Sequence, residues 1–141
     1  MAALLVIDAS AAIKAFVEEK DSAEARRLFA GGSVLVAPVH ALGECAEVLV
    51  RKTAKSELNA GQAFEAIEFL KKSIGFIAID DLIEIAVRIA IGAEVSVYDA
   101  LYVATARMLG CNLVTADDRL IRKIGKTADA GILVPLRQVN S

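Results

Sequence analysis

The chain has 141 residues and a mass of 14.9 kDa, the size of one ordinary domain of about 100–150 residues. Its 16 Lys and Arg against 18 Asp and Glu leave a formal charge of −2 and a pI near 5.4. A general electrostatic affinity for nucleic acid is thereby excluded, so such a partner must be held by local patches or metal ions. Apolar residues reach 56%, above the about 45–50% that is usual even when glycine is counted. Of these, 26 are Ala, which favours close helix packing; the rest of the excess points to a covered subunit surface and hence to a homodimer.

The longest apolar run, Met1 to Ile7, is far shorter than the ~20 residues a membrane span needs. It stops at Asp8 with neither the basic flank nor the small-residue cleavage site of a signal peptide. The expectation is a cytoplasmic protein with no membrane association. Cys45 and Cys111 have no metal-type spacing and read as small buried hydrophobes.

In chain order, Leu4 to Ile7 predicts a strand ending at Asp8, with Ser10 capping a helix over Ala11 to Val17. A second helix runs from Asp21-Ser22 to Ala30 and stops at Gly31-Gly32. Val34 to Val36 predicts strand two, closed by Ala37-Pro38, and Val39 to Lys52 a helix with Leu42, Ala46, Leu49 and Val50 on one side. After a polar break, another helix reaches about Ser73. Phe76 to Ile79 predicts strand three, and Asp81 caps a helix to Ile91 that is apolar on nearly every side, suited to a core or an interface. Ser96 opens a helix over Val97 to Leu109 with Gly110 as its C-cap; Asn112 to Thr115 predicts strand four, Asp118 to Ile124 a short helix, and Ile132 to Val134 a last strand. Continuous apolar strands separated by helices predict an α/β domain over residues 1–141, with a parallel central sheet of about five strands covered by helices on both faces.

In such a sheet, ligands bind beyond the carboxyl ends of the strands. Four acids reach that edge. Asp8 ends strand one, Asp117 lies just past strand four, and Glu44 is in the second turn of the helix leaving strand two. Asp99 is in the first turn of a helix that ends at Gly110 and feeds the amino end of strand four, so its own end points to the same edge. Each has a structural alternative: Asp99 as a capping box with Ser96, Asp117 or Asp118 as the cap of the short helix, Asp8 as a turn residue. Glu44 has no Lys or Arg three or four residues away. Crowded carboxylates repel, and a hard divalent cation, Mg²⁺ or Mn²⁺, offsets that cost.

Val6-Ile7-Asp8-Ala9-Ser10, Glu44 after Ala37-Pro38, Ser96-Val97-Tyr98-Asp99-Ala100-Leu101-Tyr102-Val103-Ala104 and Leu113-Val114-Thr115-Ala116-Asp117 together resemble the PIN-domain nucleases, in particular the VapC-type toxins of prokaryotic toxin–antitoxin systems. The resemblance implies a PIN-like domain in which Asp8, Glu44, Asp99 and Asp117 hold Mg²⁺ or Mn²⁺, with Ser10 and Thr115 as polar support. Of the doublet Asp117-Asp118, the family's Thr-x-Asp spacing selects Asp117.

The implied activity is metal-dependent endoribonuclease cleavage of single-stranded or structured RNA, leaving 5′-phosphate and 3′-hydroxyl ends. The implied partners are RNA and a cognate antitoxin. His40 is the only histidine, which excludes a two-histidine mechanism; it reads as a surface or partner-facing residue. Arg51, Lys52 and Lys55, and Arg119, Arg122, Lys123 and Lys126, with Lys14 as a weaker member, are candidates for phosphate contact or for solvated helix faces. Tyr98 and Tyr102 read as core or interface. Two other readings stay open: a receiver-like phospho-accepting module using Asp80 after strand three, and a PIN domain kept for binding alone.

Overall fold

In a computed structural model, which describes residues 3–139, the central element is a sheet of five parallel strands: β1 (Leu4–Ile7), β2 (Val34–Pro38), β3 (Ile74–Ile77), β4 (Asn112–Thr115) and β5 (Leu133–Pro135), in the order β3-β2-β1-β4-β5. Met1 and Ala2, which open the apolar run read in the sequence, lie outside the described residues. Neighbouring residues of a strand point to opposite faces, yet Val6 and Ile7 of β1 and Leu113 and Val114 of β4 are all buried. Both faces are therefore covered, as continuous apolar strands require.

Among the described residues seven α-helices surround the sheet: α1 (Ala9–Ala12), α2 (Ser22–Ala30), α3 (His40–Ala54), α4 (Ala60–Ser73), α5 (Ile83–Ala93), α6 (Val97–Leu109) and α7 (Asp118–Ile124). The helix buried all round is α6. Every residue from Ala100 to Ala106 is inaccessible, and the helix lies against β1, β2 and β4. For the apolar helix ending at Ile91 the sequence offers a core or an interface, and α5 is not enclosed as α6 is. Instead α5 packs one face on α6 through Ala86, Ile89, Ala90 and Ala93, and leaves Ile83, Val87 and Ile91, spaced by four, on its outer face.

Most boundaries shift by one or two residues, and three differ in kind from those the sequence predicts. The first helix begins at Ala9 and gives way to a 3₁₀ turn over Ile13–Phe16. Its cap is Asp8, whose backbone is extended and whose carboxylate accepts from Ala11 N–H; Ser10 is already inside the helix. Strand three occupies Ile74–Ile77 and follows Ser73 with no loop, because the parallel register with β2 pairs Leu35 with Ile74 and leaves Ala78 and Ile79 past the sheet edge. Asp81 lies in a 3₁₀ turn and makes no capping bond, so α5 is entered from that turn through Leu82. Asn59 and Gln62 form a full capping box for α4. Among the described residues, no single helix is long and apolar enough to cross a membrane.

Gly110 ends α6 at φ +65°, where no side chain would meet a neighbour, so a Cβ there costs backbone strain alone. Gly92 lies inside α5 with equally open surroundings. Urea unfolding is expected to show Gly110→Ala destabilised by ~1 kcal/mol and Gly92→Ala stabilised by about 0.5–1 kcal/mol, the two signs following from one added methyl group.

Candidate active site

β1 and β4 are adjacent and in register, Ile7 beside Val114. The next residue on each strand is thus Asp8 beside Thr115. Both are buried, Asp8 at 4% exposure and Thr115 at 0%. Asp8 Oδ1 accepts from Ser10 Oγ at 2.7 Å and Ala11 N–H at 3.0 Å, and Oδ2 accepts from Thr115 Oγ1. The web continues across the strand ends. Ala116 N–H donates to Ser10 Oγ and Asp117 N–H to Thr115 Oγ1, each at 3.0 Å. Ser10 and Thr115, two sequence-predicted supports, thereby fix the Asp8 carboxylate and the start of the Asp117 turn together.

Burial pushes the Asp8 carboxyl up to about 6; the three hydrogen bonds pull it down, and the charge of Asp117 adds to the rise. Asp99, half-buried, is also raised, first by burial and then by the charges of Asp117 and Glu44, with the Ser96 bond and Arg119 acting the other way. Each of the four acids thus either feels or exerts a field on another. Among the described residues none of the four is ion-paired with Lys or Arg.

The structural alternatives are in part realised alongside this arrangement. Asp117 Oδ1 caps α7 by accepting from Arg119 and Leu120 N–H. Ser96 Oγ caps α6 through the Asp99 N–H. Asp118 turns outward to pair with Arg137 at 2.8 Å, with its side chain 72% exposed, which leaves Asp117 facing the other acids. Among the described residues no three Asp, Glu, His or Cys side chains converge tightly enough to hold a metal ion in this arrangement. Asp8, Asp117 and Glu44 are each tied to separate partners.

Around Glu44 stand Tyr102, buried as its core reading expects, and His40, which departs from its surface reading. Glu44 Oε1 accepts from the Tyr102 hydroxyl and lies 3.5 Å from His40 Nε2. Tyr102 is 2% exposed. His40 is no surface residue: its ring packs against Tyr98 and Tyr102, its Nε2 donates to the Tyr98 carbonyl at 3.0 Å, and its Nδ1 is buried with no partner among the described residues. The signal was present, since Tyr102 follows Asp99 by one helical turn and His40 precedes Glu44 by one, but a search for Lys or Arg beside Glu44 passes over both. Tyr98 is exposed. Cys45 is buried next to Glu44, its thiol pushed up to about 12 by burial and by Asp8 and Glu44; Cys111 is only half-buried.

Residues 5–126 match the model of the PIN domain. The chain belongs to the PIN-domain family. Among relatives, Ribonuclease VapC9 of Mycobacterium tuberculosis is 36% identical over 119 residues, covering 83% of this chain and 88% of that protein, which sets the present PIN domain among the VapC proteins. The crystal structure of Mycobacterium tuberculosis VapC20, described as a sarcin-ricin loop cleaving toxin, shares the fold with a TM-score of 0.68 and 22% identity over 82% of this chain and 92% of that one. A chain of a toxin-antitoxin complex from Klebsiella pneumoniae does so with a TM-score of 0.64 and 16% identity over 96% and 99%. In this PIN domain β3 is an edge strand, so Asp80 follows the sheet's rim and not the central strand that a phospho-accepting module uses.

A buried carboxylate raised above its ordinary value near 3.8 binds its proton more tightly in the folded chain. Its contribution to stability is full below about pH 4 and lost as pH rises through about 6. Asp8→Asn in chelator is therefore expected to be more stable than the parent at pH 7.5, by about 1–2 kcal/mol once the lost acceptor is subtracted. The gain should vanish at pH 4, as thermal melts at the two pH values will show.

Proposed function

We propose that the protein is a Mg²⁺- or Mn²⁺-dependent endoribonuclease acting as the toxin of a toxin–antitoxin pair, with Asp8, Glu44, Asp99 and Asp117 holding the cation. The observation that carries this reading is the gathering of Asp8, Asp99, Asp117 and Glu44 at one sheet edge, close enough that the charge of Asp117 acts on Asp8 and those of Asp117 and Glu44 act on Asp99, with no Lys or Arg ion-paired to any of the four among the described residues. An all-oxygen donor set of this charge fits a hard divalent ion. The names of the relatives, ribonucleases and toxins, support the activity and the biological role.

When bound, such an ion supplies Lewis-acid stabilisation of phosphate charge and acidifies water at the site. The chain's own residues provide orientation. Ser10 and Thr115 hold both oxygens of Asp8 and prevent the carboxylate from swinging, and Asp117 keeps Oδ1 on the α7 amino end, its Oδ2 taking no hydrogen bond among the described residues. Hydrolysis by this route leaves 5′-phosphate and 3′-hydroxyl ends. Substrate phosphates are repelled by the acids and require cations close by. Arg119, Arg122 and Lys126 are exposed on and just beyond α7, whereas Lys123 donates to the Glu94 carbonyl, Lys52 is paired with Glu57 and Glu19, and Lys14 with Glu19. The α7 group is the better phosphate contact. The antitoxin and a second copy of the chain are the partners this reading adds, and exposed Ile91, Phe64 and Val50 are apolar surface that either would cover.

Purified protein incubated with single-stranded RNA and Mg²⁺ or Mn²⁺ is expected to cleave it, to stop in chelator, and to lose at least about 100-fold in kcat/KM as Asp8→Asn or Asp99→Asn, since loss of a direct ligand should exceed the 10–100-fold typical of outer-shell changes. Cleavage that survives chelator or both substitutions rules the reading out. Arg122→Ala with Lys126→Ala should raise KM several-fold and flatten its salt dependence while kcat holds. Sedimentation at micromolar concentration should give a dimer.

A further inference from the structure

Glu44 differs from the other three acids in how it is held. Asp8 is gripped by neighbours on its own strand edge, Asp117 by the helix it caps, and Asp99 extends from a capped first turn. Glu44 sits in the second turn of α3 on a flexible side chain that is 38% exposed. Left alone, it would sample several rotamers in water, and ordering it would cost conformational entropy. One side chain donates to it, the Tyr102 hydroxyl to Oε1, and His40 Nε2, whose proton goes to the Tyr98 carbonyl, lies 3.5 Å from the same oxygen.

Tyr102 cannot make this contact loosely. Its ring is buried in α6, the helix enclosed on all sides, and it is packed against the His40 ring at a centroid distance of 4.9 Å. His40 is in turn pinned by its bond to the Tyr98 carbonyl. A buried phenol must find an acceptor, and Glu44 Oε1 is the one it has among the described residues. Tyr102 stands one turn after Asp99 on α6, and Glu44 is on α3. The same hydroxyl therefore links the two helices that carry these acids.

We propose that Tyr102, backed by His40, is a positioning residue that fastens Glu44 by Oε1 and leaves Oε2 as its cation-binding oxygen. The inference rests on the metal-site reading given above. Removing the hydroxyl frees Glu44 to rotate, and cation binding must then order it.

The test is Mn²⁺ titration of the metal-free protein by calorimetry and by the electron paramagnetic resonance signal of free Mn²⁺, for the parent chain, Tyr102→Phe, Glu44→Gln and the double variant. Tyr102→Phe keeps the ring and its packing, and circular dichroism melts in chelator verify that it folds. The expected result is a roughly tenfold weaker Mn²⁺ affinity for Tyr102→Phe, within the range typical of outer-shell partners, a larger loss for Glu44→Gln, and no further loss when Tyr102→Phe is added to Glu44→Gln. Parent-like affinity in Tyr102→Phe beside a weakened Glu44→Gln overturns the positioning role and leaves the metal site standing. An equal loss in both backgrounds also overturns it, because the phenol would then be acting on the fold and not through Glu44. Parent-like affinity in Glu44→Gln sinks the metal-site assignment and this inference with it.

Discussion

The site depends on the parallel pairing of β1 with β4 at the centre of the sheet. That pairing sets Asp8 beside Thr115 although 107 positions separate them in the chain. Once they are neighbours, the rest of the strand edge is constrained. Thr115 Oγ1 donates to Asp8 and accepts from Asp117 N–H, and Ser10 Oγ donates to Asp8 and accepts from Ala116 N–H. Two hydroxyls, each used as donor and acceptor, tie the start of α1 to the start of the turn into α7. Such a web is strong only when every member is satisfied, and here it surrounds a carboxylate that burial alone would disfavour.

The electrostatic consequence runs against stability. Asp8 and Asp99 are both pushed up, by burial first and by other acids next, so the fold holds its charged edge at a cost that a bound cation would offset. Buried apolar surface carries that cost elsewhere, chiefly through α6, whose run from Ala100 to Ala106 is wholly enclosed. Small residues along α6 allow it to lie close on β1, β2 and β4 while presenting Asp99 at its amino end and Tyr102 one turn on. One helix thus supplies a core and part of the site, and the apolar excess of the composition is spent there as much as on any outer surface.

Legibility in the sequence varied with the range of the interaction. The strands β1, β2 and β4 and the helix α6 were readable because continuous apolar runs, a Ser cap and a Gly at positive φ are local signals. The start of β3 was not, since Ile74 is placed by its partner Leu35 and not by its own neighbours. Ser10 was read as a cap because it precedes an apolar stretch; the actual cap, Asp8, is chosen by an extended backbone at the strand end. For Asp117 the helix cap uses Oδ1 alone, so capping does not exclude the cation-binding role proposed for it.

By itself, the sequence determined the α/β class, the parallel sheet and the order in which four acids arrive at its edge, because period, run length and chain direction are properties of the chain alone. Tertiary structure decided what each acid touches. It turned Asp118 outward to Arg137, buried Tyr102 against His40, and aimed its hydroxyl at Glu44 across 58 residues of chain. The physical reason is that a hydrogen bond is settled within about 3 Å, and at that range the neighbours of Glu44 are set by how α3 and α6 pack on the sheet, a packing that no local pattern in either helix records.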